Sequence, residues 1–122
     1  MTDPRKTVAI VDDDETLRDA IEQLLSAHGF ATQVFASAEA FLNGRAANQA
    51  ACLVLDINLP GMSGVELNQR LKAEGSELPV IFITAADDDI RRLAAMAGCV
   101  ACLRKPFAAD LLIGVIRKAV RE

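Results

Sequence analysis

The chain is 122 residues long and carries 13 basic against 17 acidic side chains, a formal net charge of −4. That length fits one domain able to bury a core without disulfide or metal staples, and the acidic balance argues against a protein whose main partner is nucleic acid. Apolar residues make up 52% of the chain and aromatics 4%, with no Trp or Tyr, so the core has to be built from Leu, Ile, Val and Ala around five Phe. No apolar run approaches a membrane span, and the opening Met1–Lys6 is not followed by the apolar region of a secretory signal. The expected address is cytoplasmic, with no membrane partner.

Short apolar runs alternate with helix-patterned segments, which is the sequence sign of βα units and a parallel sheet. The first run, Thr7–Val11, has no polar alternation, as expected of a strand covered on both faces, and it stops on Asp12 and Asp13. The spacing of Leu17, Ala20, Ile21, Leu24 and Leu25 predicts a helix over 15–28 with one apolar face, closed by Gly29. Thr32–Phe35 is the weakest strand, with Gln33 inside it, and is assigned to a sheet edge. Ser37 is placed to cap a helix holding Ala38, Ala40, Phe41 and Leu42, with Glu39 in its first turn near the positive end of the dipole.

After a small, polar loop over 44–51, the run Cys52–Asp56 is apolar until it ends on a carboxylate. Asn58–Gly64 is turn-rich, and Val65–Glu74 reads as a helix burying Val65, Leu67 and Leu71, ended by Gly75. The strand Leu78–Thr84 opens with Pro79, which a strand tolerates at its start or on an edge. Asp87–Asp89 load negative charge onto the start of a helix with Ile90, Leu93, Ala94 and Met96 below, closed by Gly98. The last strand, Val100–Leu103, stops on Arg104 and Lys105. Pro106 follows, and a final amphipathic helix spans Ala109–Val120 through Leu111, Leu112, Val115 and Ile116.

The expected organisation is therefore a single domain over 1–122, with no internal repeat, no linker and no output domain in the chain. Right-handed crossovers leave few arrangements for five such units. A five-stranded parallel, doubly wound α/β sheet of order 2-1-3-4-5 with five flanking helices is the expected fold, and it puts every strand's C-terminal end on one edge, where such folds bind ligands.

The three cysteines, an odd number, fit reduced thiols. Cys99 and Cys102 have C-x-x-C spacing, but Cys102 falls inside an apolar strand-like run, and Cys52 and His28 are poor candidates for completing a metal site. Thiols buried as small hydrophobes are expected instead.

In that sheet Asp12 and Asp13 lie next to Asp56. Carboxylates so close repel, so pKa values rise or a cation lies between them, and oxygen ligands at a rigid sheet mouth suit Mg²⁺. Taken alone, Asp12–Glu15 reads equally well as a solvated loop and helix cap; the strand ends at Asp56, Thr84 and Lys105 favour a site. Lys105 is the counter-ion and Thr84 a hydroxyl donor. Together these groups make a phosphoryl-transfer site, whose chemistry needs mainly positioning and charge neutralisation. Asp56 is the candidate nucleophile: Asp12 and Asp13 come as a pair suited to the metal, and Asp56 is the only acid on its strand end.

Ile10–Asp14, Leu53–Gly64, Ile83–Ala85 and Lys105–Phe107, in this order and at these spacings, make the whole chain resemble the receiver domain of bacterial two-component response regulators, a flavodoxin-like fold. The resemblance implies a phosphorylation-dependent signalling switch in which Asp56 accepts a phosphoryl group from a phosphohistidine of a sensor histidine kinase or phosphotransfer protein. It implies Mg²⁺ held by Asp13, Asp56 and the backbone carbonyl of Asn58, with Asp12 acting largely through metal-bound water. Thr84 and Lys105 would hold phosphoryl oxygens, and the Lys105–Pro106 peptide would be cis. Such a domain catalyses its own phosphorylation and dephosphorylation but is no conventional turnover enzyme. It signals through the face built by its fourth helix, fifth strand and fifth helix, either alone or as the receiver of a longer transcriptional regulator, with a possible phosphorylation-induced homodimer and no direct nucleic-acid binding of its own. One position departs from the pattern: Cys102 stands where receivers usually carry Tyr or Phe, which puts the signalling step rather than the chemistry in question.

Three rival readings fit less well. A phosphatase of the haloacid-dehalogenase type wants a second Asp two residues after the first, where this chain has Asn58, and wants its nucleophile on the first strand. A flavodoxin-type FMN carrier shares the fold, but Asp12–Glu15 would repel the phosphate that its first loop binds. A degenerate receiver that serves only for docking has no need of the complete acid set.

Overall fold

The structure is a computed structural model and describes residues 6–44, 49–85 and 100–120. Five strands form one parallel sheet in the order β2-β1-β3-β4-β5: β1 Thr7–Val11, β2 Ala31–Phe35, β3 Cys52–Asp56, β4 Val80–Thr84 and β5 Ala101–Arg104. Among the described residues the helices are α1 Glu15–Ala27, α2 Ala38–Asn43, α3 Gly64–Ala73 and, after β5, α4 Ala109–Val120. The helix expected over 87–98 lies outside the described residues, as does Cys99. The expected sheet and strand order are both present, and the weak second strand is at an edge.

Alternation along the buried strands divides the core into two layers, because successive side chains leave opposite faces. Ala9, Val11, Leu53, Leu55, Val80 and Phe82 pack with Ala38 and Phe41 of α2 and Leu67 and Leu71 of α3. Val8, Ile10, Cys52, Val54, Ile81 and Ile83 pack on the other side with Ile21 and Leu25 of α1 and Leu112, Ile113 and Ile116 of α4. All five residues of β3 and of β4 are buried. A central strand covered on both sides has no solvent face for polar residues to occupy, which explains the uninterrupted apolar runs.

The helices begin where the sequence supplies caps. Asp14 accepts hydrogen bonds from the N–H groups of Thr16 and Leu17 at 3.0 and 3.3 Å and starts α1. Ser37 caps α2 by accepting from the Ala40 N–H at 3.0 Å. α3 starts with a capping box that the sequence reading passed over: Ser63 accepts from the Glu66 N–H, and Glu66 reaches back to the Ser63 N–H. Gly29 and Gly75 follow their helices with φ of +89° and +82°, the left-handed conformation that ends a helix at little cost in glycine.

Two apolar positions lie differently from expectation. Ala20 is exposed, and Leu111 is 51% exposed while Ile113 is buried. The face of α4 that meets the sheet is Leu112, Ile113 and Ile116, rotated by one residue from the stripe read off the sequence.

Candidate functional site

Register brings the polar strand ends together. Val11 of β1 pairs with Leu55 of β3, so the next residues, Asp12 and Asp56, emerge side by side. Asp56 in turn pairs with Ile83, one residue before Thr84, and Thr84 pairs with Arg104, one residue before Lys105. Four strands thus deliver Asp12, Asp56, Thr84 and Lys105 to a single edge, although only Asp56 and Thr84 are themselves strand residues.

Asp12, Asp13 and Asp56 present carboxylate oxygens that all lie within 4.8 Å of one another. Asp12 is fully buried and Asp56 is 4% exposed, whereas Asp13 opens to solvent. The Lys105 ammonium stands between the two buried acids, 3.3 Å from Asp12 Oδ2 and 3.3 Å from Asp56 Oδ2. The other oxygens are held by main chain: Asp12 Oδ1 accepts from the Asp14 N–H at 2.9 Å, and Asp56 Oδ1 accepts from the Asn58 N–H at 3.2 Å.

Burial pushes the Asp56 carboxyl above its ordinary range, and the neighbouring Asp12 charge pushes it the same way. Lys105 and the Asn58 N–H pull against them without cancelling the rise. Burial disfavours the Lys105 charge, but Asp56 and Asp12 outweigh it and hold its pKa above the usual lysine value. One ammonium among three carboxylates leaves negative charge uncompensated, in a rim of hard oxygen donors open on the Asp13 side. That donor set fits a divalent cation that binds oxygen.

Asn58 is exposed at the start of the β3–α3 loop, and its Nδ2 lies 3.4 Å from Thr84 Oγ1. Thr84 is fully buried. The Lys105–Pro106 peptide is cis. Cys102 is not part of this cluster: it lies within β5, in register with Phe82, half-buried against the core layer under α2 and α3. Cys52 is a buried thiol in the opposite layer, as expected of a packing residue.

The supporting roles of three residues escaped the sequence reading, in which Glu39 figured only as a first-turn acid of its helix. Arg18, on the first turn of α1, donates from Nη1 to the Asp12 carbonyl at 2.9 Å. Gly64 donates its N–H to the Ile57 carbonyl at 2.9 Å and is buried against the end of β3. Glu39 of α2 accepts from the Met62 N–H at 2.9 Å. All three act on main chain, and main-chain contacts leave no signal in side-chain spacing; the glycine was read only as part of a turn.

Comparison with known proteins places the chain among relatives. A family model described as the response regulator receiver domain matches residues 8–117. The response regulator protein TodT of Pseudomonas putida is 35% identical over 122 residues, covering 99% of this chain and 54% of TodT. The transcriptional regulatory protein FixJ of Bradyrhizobium diazoefficiens is 36% identical over 116 residues, covering 94% of this chain and 57% of FixJ. The chain therefore spans a little over half the length of these curated relatives. Among solved structures, a response regulator receiver protein from Burkholderia phymatum superposes with a TM-score of 0.83 at 39% identity, covering 96% of each chain.

Proposed function

The chain belongs to the response regulator receiver domain family of two-component signalling, and on that premise we propose that Asp56 is its phospho-acceptor. The carrying observation is the Lys105 ammonium 3.3 Å from both Asp12 and Asp56 within a cluster of three carboxylates. In the reaction an Asp56 carboxylate oxygen attacks the phosphorus of a phosphohistidine on a sensor kinase or phosphotransfer protein. The P–O bond forms as the P–N bond breaks, and the electron pair leaves with the imidazole nitrogen, which takes a proton from solvent. Lys105 compensates charge on the transferred group, and Thr84 donates its hydroxyl to a phosphoryl oxygen. Asp13, Asp56 and the Asn58 carbonyl would hold Mg²⁺, with Asp12 acting through metal-bound water, and a cation there would supply charge neutralisation for the phosphoryl group.

Attack by water on the acyl phosphate releases inorganic phosphate and returns Asp56 to its free form, so the domain catalyses its own phosphorylation and dephosphorylation without being a conventional turnover enzyme. The output passes to the face that β5 and α4 build. Exposed Val100 and Leu111, 49% and 51% accessible, supply apolar surface that a second phosphorylated copy can cover. Cys102 is on β5, half-buried toward the layer of α2 and α3, at the position where receivers usually place an aromatic ring. The same domain serves as a stand-alone regulator or as the receiver of a longer transcriptional regulator, and its relative FixJ is a transcriptional regulatory protein.

Incubation with acetyl phosphate or beryllofluoride and Mg²⁺, followed by mass spectrometry and sizing, tests the reading. The expected result is one phosphoryl adduct on Asp56 and none on Asp56→Asn, with beryllofluoride moving the native protein toward a dimer. An unmodified Asp56 under these conditions rejects the phospho-acceptor assignment.

A further inference from the structure

The loop between β3 and α3 carries Asn58 and is fastened along its length. At its start the Asn58 N–H donates to Asp56 Oδ1, and at its end Gly64 is hydrogen-bonded back to Ile57 beside the Ser63 capping box. Between them, at the loop's outer bend, the Met62 N–H donates to Glu39 Oε2 at 2.9 Å. This middle bond ties the bend to α2, while the Asn58 Nδ2 contact with Thr84 Oγ1 ties its start to β4.

Glu39 is well placed to hold it. Its side chain is exposed, but its helix is fixed: Ala38 and Phe41 are fully buried, and the Phe41 ring meets Phe35 edge-on at a centroid distance of 5.4 Å. The Met62 N–H, and then Glu39's own N–H, hold its carboxyl below the usual range, so the acceptor is charged at neutral pH. The loop backbone also passes close over it. Gly61 has φ of +76°, and a Cβ there would stand 2.7 Å from Glu39 Oε2, so glycine meets both the backbone angle and the close approach.

We propose that Glu39 is a positioning residue for the carboxylate site: its bond to Met62 fixes the 58–62 bend, and through it the Asn58 main chain, against Asp12, Asp13 and Asp56. The proposal rests on metal-dependent phosphoryl transfer at Asp56 and adds a residue from a helix that supplies no ligand. Without the acceptor, the Met62 N–H turns to water and the bend samples other conformations. Each metal-binding event then has to order the loop again, which weakens affinity and leaves the saturated site unchanged. Partners of metal ligands typically change affinity by about 10- to 100-fold when removed. Glu39 acts one step further out, so the lower end, about tenfold, is expected.

The test uses the unphosphorylated full chain and two variants, Glu39→Ala and Glu39→Gln, the second of which keeps an acceptor oxygen but not the charge. Mg²⁺ affinity is measured by calorimetry and Met62 amide exchange by NMR. Glu39→Ala is expected to bind Mg²⁺ about tenfold more weakly, to exchange the Met62 amide faster, and to reach the native rate of acetyl-phosphate labelling at saturating Mg²⁺. Glu39→Gln is expected to stay close to the native protein in all three. Unchanged Mg²⁺ affinity in Glu39→Ala overturns the proposal. So does a Glu39→Gln as weak as Glu39→Ala, since lost charge and not lost positioning would then be the cause. If the native chain itself takes up no Mg²⁺, the reading of the Asp56 site fails, a result distinguishable because it needs no Glu39 variant.

Discussion

At the scale of single residues, Asp56 holds its charge at a cost to folding. Burial and then Asp12 raise its pKa above the ordinary 3.8, so the folded chain binds that proton more tightly than the unfolded chain does. Stability contributed by this group is therefore highest at low pH and is lost as pH rises from 3.8 through the raised folded value; at neutral pH the whole cost is present. Asp56→Asn removes it. Thermal unfolding in chelator at pH 7 should show the variant melting several degrees above the native protein, and an equal or lower melting point would mean that the Lys105 pairing outweighs the burial. Cys52 gives a second pH signature. Burial pushes its thiol from 9.0 up to about 12, against a weaker opposing pull from the Leu53 backbone. Between those values the unfolded thiol is ionised while the folded one stays protonated. Stability falls there with a slope of up to about 1.4 kcal/mol per pH unit, and Cys52→Val should be flatter by that amount in urea titrations at pH 9.5 to about 11. The sequence showed that neighbouring carboxylates would raise a pKa or hold a cation, but not the larger contribution of burial at Asp56 or the burial of Cys52, which depend on how completely neighbouring elements cover each group.

At the scale of elements, the start of α3 sets how far the end of β3 can move. A Cβ on Gly64 would lie 2.9 Å from the Ile57 Cα and 3.1 Å from the Asp56 carbonyl carbon, both main-chain atoms that cannot rotate away. Gly64→Ala is therefore expected to cost about 1–3 kcal/mol in urea unfolding despite alanine's better helix propensity, and to weaken Mg²⁺ binding by displacing Asp56; a neutral result on both would show that α3 shifts freely. The pairing of β4 with β5 carries a different expectation. Cys102 stands in register with the fully packed Phe82, so a ring introduced by Cys102→Tyr has to turn outward or displace its neighbours. The phosphorylation-linked change in association should differ between the native protein, Cys102→Ala and Cys102→Tyr, and three identical responses in sizing would remove Cys102 from the signal path. Elements themselves were legible where periodicity and caps agreed, as in β1, β3 and α1. Where two apolar residues adjoin, as at Leu111–Leu112, composition does not choose the rotation of the helix. Packing on the sheet did, burying Leu112 and Ile113. Asn68 of α3, buried at 4% exposure, breaks the polar-outside rule on which such readings depend.

At the scale of the whole molecule, the sequence disclosed most of the fold because a sheet buried on both faces forces its strands to be apolar runs. It disclosed the site because each apolar run ends on a polar or charged residue, so Asp12, Asp56, Thr84 and Lys105 mark a single edge. It did not disclose the scaffolding of that edge, since Arg18, Glu39 and Gly64 work on carbonyl and amide groups common to every residue. The same edge couples the site to global stability. Three carboxylates with one ammonium repel in the folded chain and separate in the unfolded one, so a cation held between them binds the folded state selectively. Such a ligand stabilises by about 2.7 kcal/mol at one hundred times its dissociation constant, which for a domain of this size raises Tm on the order of 10 °C. Mg²⁺ titrated at constant ionic strength should raise the melting temperature by that amount, chelator should return it, and Asp56→Asn should lose most of the effect. An equal rise in Asp56→Asn, or one reproduced by NaCl at matched ionic strength, would assign the stabilisation to screening of the net charge of −4 and not to a bound ion.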